Sequence, residues 1–510
     1  MARTRSKASR RTVKEAKPSM PDGSIRAWED DPGSGVLVER TAPNPAKRPL
    51  AYSFPRPMPK PAIYQTGTRE FRFWTAAEAL RRGADFWAAR VPLAKWEVGP
   101  VLKVLLDEGV DLNAYYDRRA LNFFHGPSPS GTVYSGESPD IVCHEMGHAI
   151  LDSFKPQLWG AASHEVAAFH ESFGDMSSIL SALQLPSLRT AILSDTGGHL
   201  YRSSRLSRLA EQLGAAIRAQ QPDAVDPDCL RNAVNSFTYQ DPVNLPPMAP
   251  ARQLSSEPHS FSRVFTGAFF ECLGSMLTAT AQNSDAPTSQ ELLSVANELA
   301  GLLVGAVKQA PVVPNWYAQV AAGMVQAAGS VNTKYPAVIK GVFVKRSILS
   351  LHSASTVEAV PRAMTAAAIA EQDEPLVSVT LSAQHYGLDR PLMVEAASHA
   401  RRFVATAAAG DAKPIDPVSS VTAARSFVDD LFRSGHVDYG EFGSPETRIA
   451  HGRRLQTHHL VAEGGAIRLQ RRLFDCDLCG GVDKGGSNTC TQPQVAAHAR
   501  RIRSTGAGKA

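Results

Sequence analysis

The chain has little cysteine and no long apolar run. Its 510 residues include only six cysteines, too few for a disulfide scaffold. No stretch reaches the roughly 18 apolar residues that a transmembrane helix needs, so the sequence predicts none. A hydrophobic share of 43% and a charged share of 20% are ordinary for globular proteins. The sequence therefore indicates a globular chain of about two to four domains.

Positive charge is concentrated at the N-terminus. Residues 1–20 contain seven basic residues and one acidic residue, whereas the whole chain has a formal net charge of +5. Such a segment can bind an acidic partner, an anionic membrane or nucleic acid. No aromatic residue interleaves with these charges, which favours a solvated tail and argues against a nucleic acid partner. Contact with an acidic partner is kept as the alternative.

The N-terminal segment has one feature of a targeting signal. SRRTVK superficially resembles a twin-arginine export signal, but no apolar run follows it. We therefore expect no signal peptide, and either cytoplasmic residence or release by an unconventional route.

The string HEMGH places two histidines and a glutamate at fixed offsets. His144 and His148 are four residues apart, so on a helix their imidazoles share one face and can hold one divalent ion. Glu145 would lie beside that ion, where it can take the proton of an activated water. Pro139 suits the first turn of this helix, and Pro156 would end it. The pattern is typical of a zinc hydrolase; solvated histidines or a purely structural zinc site are the alternatives.

A third protein ligand is expected on a second helix, because two histidines do not complete a catalytic zinc site. Residues 163–180 carry Glu171 and Asp175 one turn apart, away from an apolar stripe. Glu171 can ligate the ion, while Asp175 accepts a hydrogen bond from a ligand imidazole. Glu165 is the rival ligand, and a surface charge pair is the alternative without a metal. We favour Glu171 because only Glu171 has an acidic partner one turn on.

These motifs resemble those of the thermolysin-like zinc metallopeptidases, the gluzincins. HEMGH and the acid pair of HESFGD are similar to the family's HExxH and downstream ExxxD elements. The resemblance implies that Glu171 is the third zinc ligand and that Asp175 orients His144. His170 departs from the pattern, because the family usually has asparagine there. The resemblance covers about residues 100–280.

Two segments outside the zinc motifs extend the resemblance. Residues 111–126 are similar to the family's strand pair before the zinc helix, which makes Asn113 and Ala114 candidates for binding a substrate backbone by strand addition. A structural hairpin without a ligand is the alternative. His259 precedes a predicted helix, and the resemblance implies that it stabilises the oxyanion of the reaction.

Two charged residues lie near His259 in the sequence. Glu257 could orient its imidazole, and Arg263 could hold a substrate carbonyl. A solvated charge is the favoured interpretation for each.

Other metal sites have weaker support. Cys476, Cys479 and Cys490 with His498 could form a structural zinc knuckle, with a redox pair or idle thiols as alternatives. Calcium often stabilises the family, but the stretch after Asp175 lacks the acidic residues that would ligate it. Calcium is therefore not supported.

We predict an α+β fold with a gluzincin-like catalytic core. Residues 1–60 are basic and then Pro-rich and are expected to be disordered or extended. Residues 61–155 would form a mixed α/β lobe that ends in the zinc helix, and 156–330 a mainly helical lobe, with zinc between them. Residues 331–510 would form an appended α/β module of unknown role, with a strand at 376–381 and a hairpin that turns at Gly464 and Gly465.

The predicted function is that of a zinc-dependent endopeptidase acting on a peptide or protein. Two alternatives stay open: a zinc hydrolase with a non-peptide substrate, and a catalytically silent binding module with a vestigial zinc site. Retention of the glutamate in HEMGH argues against the silent module.

Overall fold

The structure is a computed structural model that describes residues 23–351, 353–354, 375–399, 418–442 and 455–475. It combines helices with mixed sheets, which confirms the α+β class. The basic residues 1–20 lie outside the described residues, as do Cys476, Cys479, Cys490 and His498. Among the described helices, none has the length and apolar character needed to cross a bilayer.

Helices make up most of the middle of the chain. The described helices are α1 (Arg69–Ala88), α2 (Pro139–Phe154), α3 (Gln157–Gly160), α4 (His164–Ala182), α5 (Pro186–Thr196), α6 (Glu211–Gln220), α7 (Pro258–Thr280), α8 (Ser289–Gln309), α9 (Trp316–Ala328), α10 (Tyr335–Lys345) and α11 (Ser420–Ser434). α4 packs against α2 and α7. The helix expected around HEMGH is confirmed, with Pro139 at its first position.

Two glycines allow α2 and α4 to approach closely. A Cβ atom on Gly147 of α2 would lie 2.9 Å from the Cα of Gly174 on α4, and a Cβ on Gly174 would lie 2.6 Å from the ring of His144. Both distances are too short for a side chain. The crossing therefore needs glycine at both positions, and it brings the His144 imidazole against α4.

The strands form two larger sheets and several short pairs. The described strands are β1 (Ser24–Trp28), β2 (Leu37–Thr41), β3 (Ala51–Ser53), β4 (Val101–Leu105), β5 (Ala114–Tyr116), β6 (Ala120–Phe123), β7 (His125–Ser128), β8 (Gly131–Tyr134), β9 (Arg208–Leu209), β10 (Arg231–Asn232), β11 (Val377–Leu381), β12 (Leu392–Ala396), β13 (Val437–Asp438), β14 (His458–Glu463), β15 (Ala466–Arg471) and β16 (Phe474–Asp475). One five-stranded sheet has the order β16-β5-β6-β4-β3, and the other has the order β11-β12-β15-β14-β13.

The C-terminal sheet contains the predicted hairpin. β14 and β15 pair in antiparallel register, and the turn between them has Gly464 at φ 55° and Gly465 at φ 84°. Two consecutive positive φ values are what a two-residue hairpin turn requires, and glycine adopts them without strain. The strand predicted at 376–381 is confirmed as β11.

The expectation of a disordered or merely extended N-terminal segment is wrong for residues 24–53. β1 and β2 form an antiparallel pair, and β3 joins the first large sheet. Ile25 and Ala27 alternate into the core, and Tyr52 is buried. The backbone N–H of Trp28 also donates to the Thr75 hydroxyl of α1 at 2.8 Å. Tertiary packing of a few apolar residues thus orders a segment whose composition is dominated by proline and charge.

The C-terminal region contributes a strand to the first sheet. Arg471, the last residue of β15, contacts α3: its Nε donates a hydrogen bond to the Trp159 carbonyl at 3.1 Å. The next residues form β16, which pairs antiparallel with β5 so that Phe474 faces Tyr116 and Asp475 faces Tyr115. Among the described strands, only β16 covers this edge of β5.

Candidate metal centre

The two histidines of α2 lie side by side in the interior. His144 is 3% exposed and His148 is fully buried. Ligand atoms of His144, Glu145 and His148 all lie within 4.8 Å of one another, so this buried group could hold a metal ion. Neither ring nitrogen of His148 has a hydrogen-bond partner among the described residues. Burial of an imidazole without any partner is costly, and these side chains are not the solvated histidines of an ordinary amphipathic helix.

Glu171 of α4 faces both imidazoles. Its Oε2 lies 3.2 Å from the Nε2 of His144, and its Oε1 lies 3.7 Å from the Nε2 of His148. The side chain is 1% exposed, which is inconsistent with a surface charge pair. Two imidazoles and a carboxylate from a second helix therefore converge on one point, as three metal ligands would.

The rival ligand, Glu165, points away from this centre. One of its carboxylate oxygens accepts a hydrogen bond from the Tyr239 hydroxyl at 2.7 Å, and the other accepts the backbone N–H of Tyr317 at 2.7 Å. Burial raises the pKa of Glu165 to about 8, although these two hydrogen bonds oppose the rise. Its partners are neutral, and they hold it at the start of α4.

Asp175 lies behind His144, one turn after Glu171. Its Oδ1 is 3.1 Å from the Nδ1 of His144, and the Nη2 of Arg231 on β10 donates to the same oxygen at 2.8 Å. Burial alone would raise the pKa of Asp175, but the guanidinium of Arg231 and the hydrogen bond from His144 hold it below its ordinary value. An ionised Asp175 accepts the Nδ1–H of His144 and leaves Nε2 directed towards the other ligands.

The protonation of the two histidines differs. Burial lowers the pKa of His144, but hydrogen bonds to Asp175 and Glu171 outweigh it and raise the pKa to about 9. Burial and the nearby charge of His144 hold the pKa of His148 well below its ordinary value. The His144 Nε2 lies 3.2 Å from the Oε2 of Glu171, and in the protonated form of His144 it would donate its proton in a hydrogen bond to that oxygen. A metal ion bound between these atoms would replace that proton.

His259 enters the same centre from the first turn of α7. Its Nδ1 is 2.6 Å from a carboxylate oxygen of Glu257, and its Nε2 is 3.2 Å from Glu171. The Nε2 also contacts the backbone carbonyl of Asp475 at hydrogen-bonding distance. Burial would lower the pKa of His259, but the carboxylates of Glu171 and Glu257 raise it to about 10. His259 is thus a charged donor aimed at a carbonyl oxygen.

The favoured interpretation of Glu257 and Arg263 as solvated charges is wrong for both. Glu257 caps α7, accepts the backbone N–H groups of His259 and Ser260, and pairs with the His259 imidazole. Arg263 is 5% exposed and donates to the carbonyl oxygens of Gln253 and Ser260. Arg263 thus stabilises the segment that precedes α7 by hydrogen bonding, whereas Glu257 orients the imidazole of His259.

The predicted substrate-binding pair lies along the β5 edge. Ala114 begins β5, and Asn113 precedes it. Asn113 is 1% exposed, and its Oδ1 accepts the N–H of Ala114 at 2.8 Å. Its Nδ2 has no hydrogen-bond partner among the described residues. A buried donor without a partner at the start of β5, beside the edge that β16 covers, suits the backbone of an extended peptide.

Sequence reasoning missed three groups at this centre. Arg231 and the segment Phe474–Asp475 come from irregular or very short elements without periodicity, so no local pattern could reveal them. His170 was noted only as a departure from the family pattern. Its fully buried ring stacks on Phe474, with the ring centres 4.0 Å apart, and both of its nitrogens lack hydrogen-bond partners among the described residues. It therefore acts as a flat packing surface.

Comparison of the chain with protein-family models and with curated proteins gave no match. Within the described parts of the chain, His144, Glu145 and His148 are the one group of three or more histidines, cysteines and acids suited to hold a metal ion. Any functional assignment therefore depends on the geometry of this centre.

Proposed function

We propose that the protein is a zinc-dependent endopeptidase with a gluzincin-like core. The observation that carries this proposal is the convergence of His144, His148 and Glu171 beside Glu145, with Asp175 behind the first histidine. Two helices supply all five side chains. The glutamate next to the histidine pair favours hydrolysis, because a purely structural zinc site has no need of an adjacent base.

The residues of the centre fit zinc. Zinc in catalytic sites takes three nitrogen or oxygen ligands from the protein and keeps one position open. The imidazoles of His144 and His148 and the carboxylate of Glu171 would supply these three ligands. When bound, zinc lowers the pKa of a water molecule to about 7 and polarises the substrate carbonyl.

Glu145 and His259 would perform the proton and charge steps. Glu145 takes a proton from the attacking water and delivers it to the leaving amine as the peptide bond breaks. The charged Nε2–H of His259 donates to the carbonyl oxygen as negative charge develops there. Glu257 keeps that imidazole oriented, and Asp175 with Arg231 holds His144 in place.

The β5 edge would bind the substrate backbone. An extended peptide could add to β5 in antiparallel register in the place that β16 takes, and the side-chain amide of Asn113, next to Ala114, lies further along that edge. This edge favours a peptide over a non-peptide substrate.

The test is a paired measurement on the native chain and Glu145→Gln. We expect both proteins to bind stoichiometric zinc by elemental analysis. Peptide cleavage should fall by about 10²–10⁴-fold in Glu145→Gln, because only the proton transfer is removed. Glu39→Gln is a matched control, since the Glu39 side chain is 44% exposed and distant from the centre.

Each assay outcome points to a different error. Cleavage that survives in Glu145→Gln would contradict the assignment of the base, and a native chain that binds no zinc would contradict the metal centre. A native chain that hydrolyses an ester library and leaves peptides intact would contradict the peptidase.

A further inference from the structure

The metal centre is closed by the chain itself. His144, Glu171 and His259 each have side chains that are at most 4% exposed. β16 contributes to this cover: Phe474 is 2% exposed and Asp475 is 5% exposed. A peptide from outside would need to displace this segment before reaching the centre.

β16 has the orientation expected of a bound substrate. It adds to the β5 edge in antiparallel register, next to the positions of Ala114 and Asn113. Strand addition of this kind is how an extended peptide binds an open sheet edge. β16 therefore occupies the place that the proposed function assigns to substrate backbone.

The Phe474 side chain anchors the segment over the histidines. Its ring stacks on His170 at 4.0 Å between centres, with 19° between the ring planes, and on His148 at 5.1 Å, with 17°. The Arg471 guanidinium lies over the Phe474 ring, 4.0 Å from its centre. These contacts fix the position of the following residue along the edge.

The backbone carbonyl of Asp475 contacts the His259 imidazole at the metal centre. It accepts from the Nε2 of His259, the atom that also lies 3.2 Å from the Glu171 carboxylate. His259 is the residue proposed to stabilise a developing oxyanion. The carbonyl in contact with it is the one that a nucleophile would attack, and in this chain that carbonyl forms the peptide bond to Cys476.

We propose that the chain is its own substrate, and that the bond between Asp475 and Cys476 is hydrolysed in cis. The inference rests on the proposed function. It adds the identity of a substrate and the position of the bond that is cut.

The reaction balances as a simple hydrolysis. The water oxygen bonds to the carbonyl carbon of Asp475, and the bond from that carbon to the Cys476 nitrogen breaks. Glu145 accepts one water proton and passes it to the departing nitrogen. One product ends in the new carboxylate of Asp475, and the other begins with the free amine of Cys476.

Intact mass spectrometry of the full chain with zinc tests the cut. We expect the native chain to convert to a product that ends at Asp475, and sequencing of the released fragment to begin at Cys476. Glu145→Gln should stay full length. Isotope-labelled Glu145→Gln mixed with native protein should also stay full length, because its bond is held in its own centre.

A matched pair of variants tests the anchor. Phe474→Ala removes the stacking on His170 and His148, and we expect cis cleavage to slow by about tenfold. Leu473→Ala is the control, because Leu473 is 6% exposed in the same segment but has no ring to stack on the histidines. We expect it to be cut at close to the native rate.

Hydrogen exchange measures whether β16 occupies the β5 edge, and this measurement does not depend on catalysis. In zinc-free Glu145→Gln, amide hydrogen exchange of residues 114–116 should be slow, and Phe474→Ala in that background should accelerate it. Fast exchange at these residues before the second substitution would overturn the placement of β16 as the resident occupant.

The outcomes separate this inference from the proposed function. A native chain that cleaves added peptides but keeps its own bond after Asp475 overturns the inference alone. Cleavage of the labelled Glu145→Gln by native protein overturns the cis assignment. A zinc-loaded native chain that cuts neither itself nor any added peptide overturns the peptidase as well.

Discussion

The first turn and the middle of α4 each contain a buried glutamate, and the two have different partners. Glu165 is 2% exposed and Glu171 is 1% exposed. Glu165 accepts hydrogen bonds from a tyrosine hydroxyl and a backbone N–H, whereas Glu171 meets the imidazoles of His144, His148 and His259. Burial alone therefore does not distinguish the two carboxylates; the chemistry of their partners does.

The two regions of α4 also serve different parts of the molecule. In the first turn, the Nε2 of His164 lies 3.3 Å from Asp430 of α11, so this end contacts the C-terminal region. In the middle, Glu171 and Asp175 face α2 and α7. One helix thus joins the metal centre to the part of the chain that supplies β16.

Exchanging each glutamate for glutamine gives the largest expected difference. Glu171→Gln should weaken zinc binding by at least about 100-fold and abolish peptide cleavage, because a charged ligand becomes a neutral amide. Glu165→Gln should retain zinc, since that side chain does not reach the histidines. Competition with a chromophoric chelator measures both affinities. Equal loss of zinc in the two variants would contradict the comparison.

Asp175→Asn should have the next largest effect. We expect zinc affinity to fall by about 10–100-fold, because the His144 imidazole loses its orienting carboxylate. Buried Arg231 would also lose its ionised partner, which should lower the free energy of unfolding by about 3–5 kcal/mol. Chelator competition and urea unfolding measure the two effects. Asp195→Asn is the control, since the Asp195 side chain is 53% exposed, and a matching loss there would argue against a specific role for Asp175.

The pH dependence of stability should show the smallest effect, and it reports on the first turn of α4. Burial raises the pKa of Glu165 from 4.5 to about 8, so the folded chain holds a proton that the unfolded chain loses. The contribution of this carboxyl is full below pH 4.5 and is lost as the pH rises towards 8. Glu165→Gln should flatten that part of the melting-temperature profile. Identical profiles for the two proteins would show that folding does not raise the pKa of Glu165.

Much of the metal centre could be predicted from local patterns. Four-residue spacing places His144 and His148 on one face of a helix, and it does the same for Glu171 and Asp175 on a second helix. Pro139 and Pro156 mark the two ends of the helix that carries the histidines. The choice of Glu171 over Glu165 followed from its acidic partner, and the geometry of the two side chains agrees with it. The expectation that Glu257 is a solvated charge was wrong because its pairing with His259 depends on burial of the start of α7. Residue spacing in the sequence does not show that burial.

The placement of β16 was beyond such reasoning. β16 has two residues, too few for any alternating pattern to appear. Its place beside β5 arises because β15 is held against α3 through Arg471 and Trp159, a contact between residues far apart in the chain. Arg231 reaches Asp175 in the same way, from an isolated pair of short strands.

The sequence by itself determined which side chains share a helix face, because the 3.6-residue period is a local property of the backbone. It thereby specified two histidines with a glutamate beside them and an acid pair. Only the tertiary structure decided how α2 and α4 cross, which glutamate meets the imidazoles, and which segment lies over them. Those outcomes depend on packing between distant parts of the chain, where shape and burial select partners that no local spacing encodes.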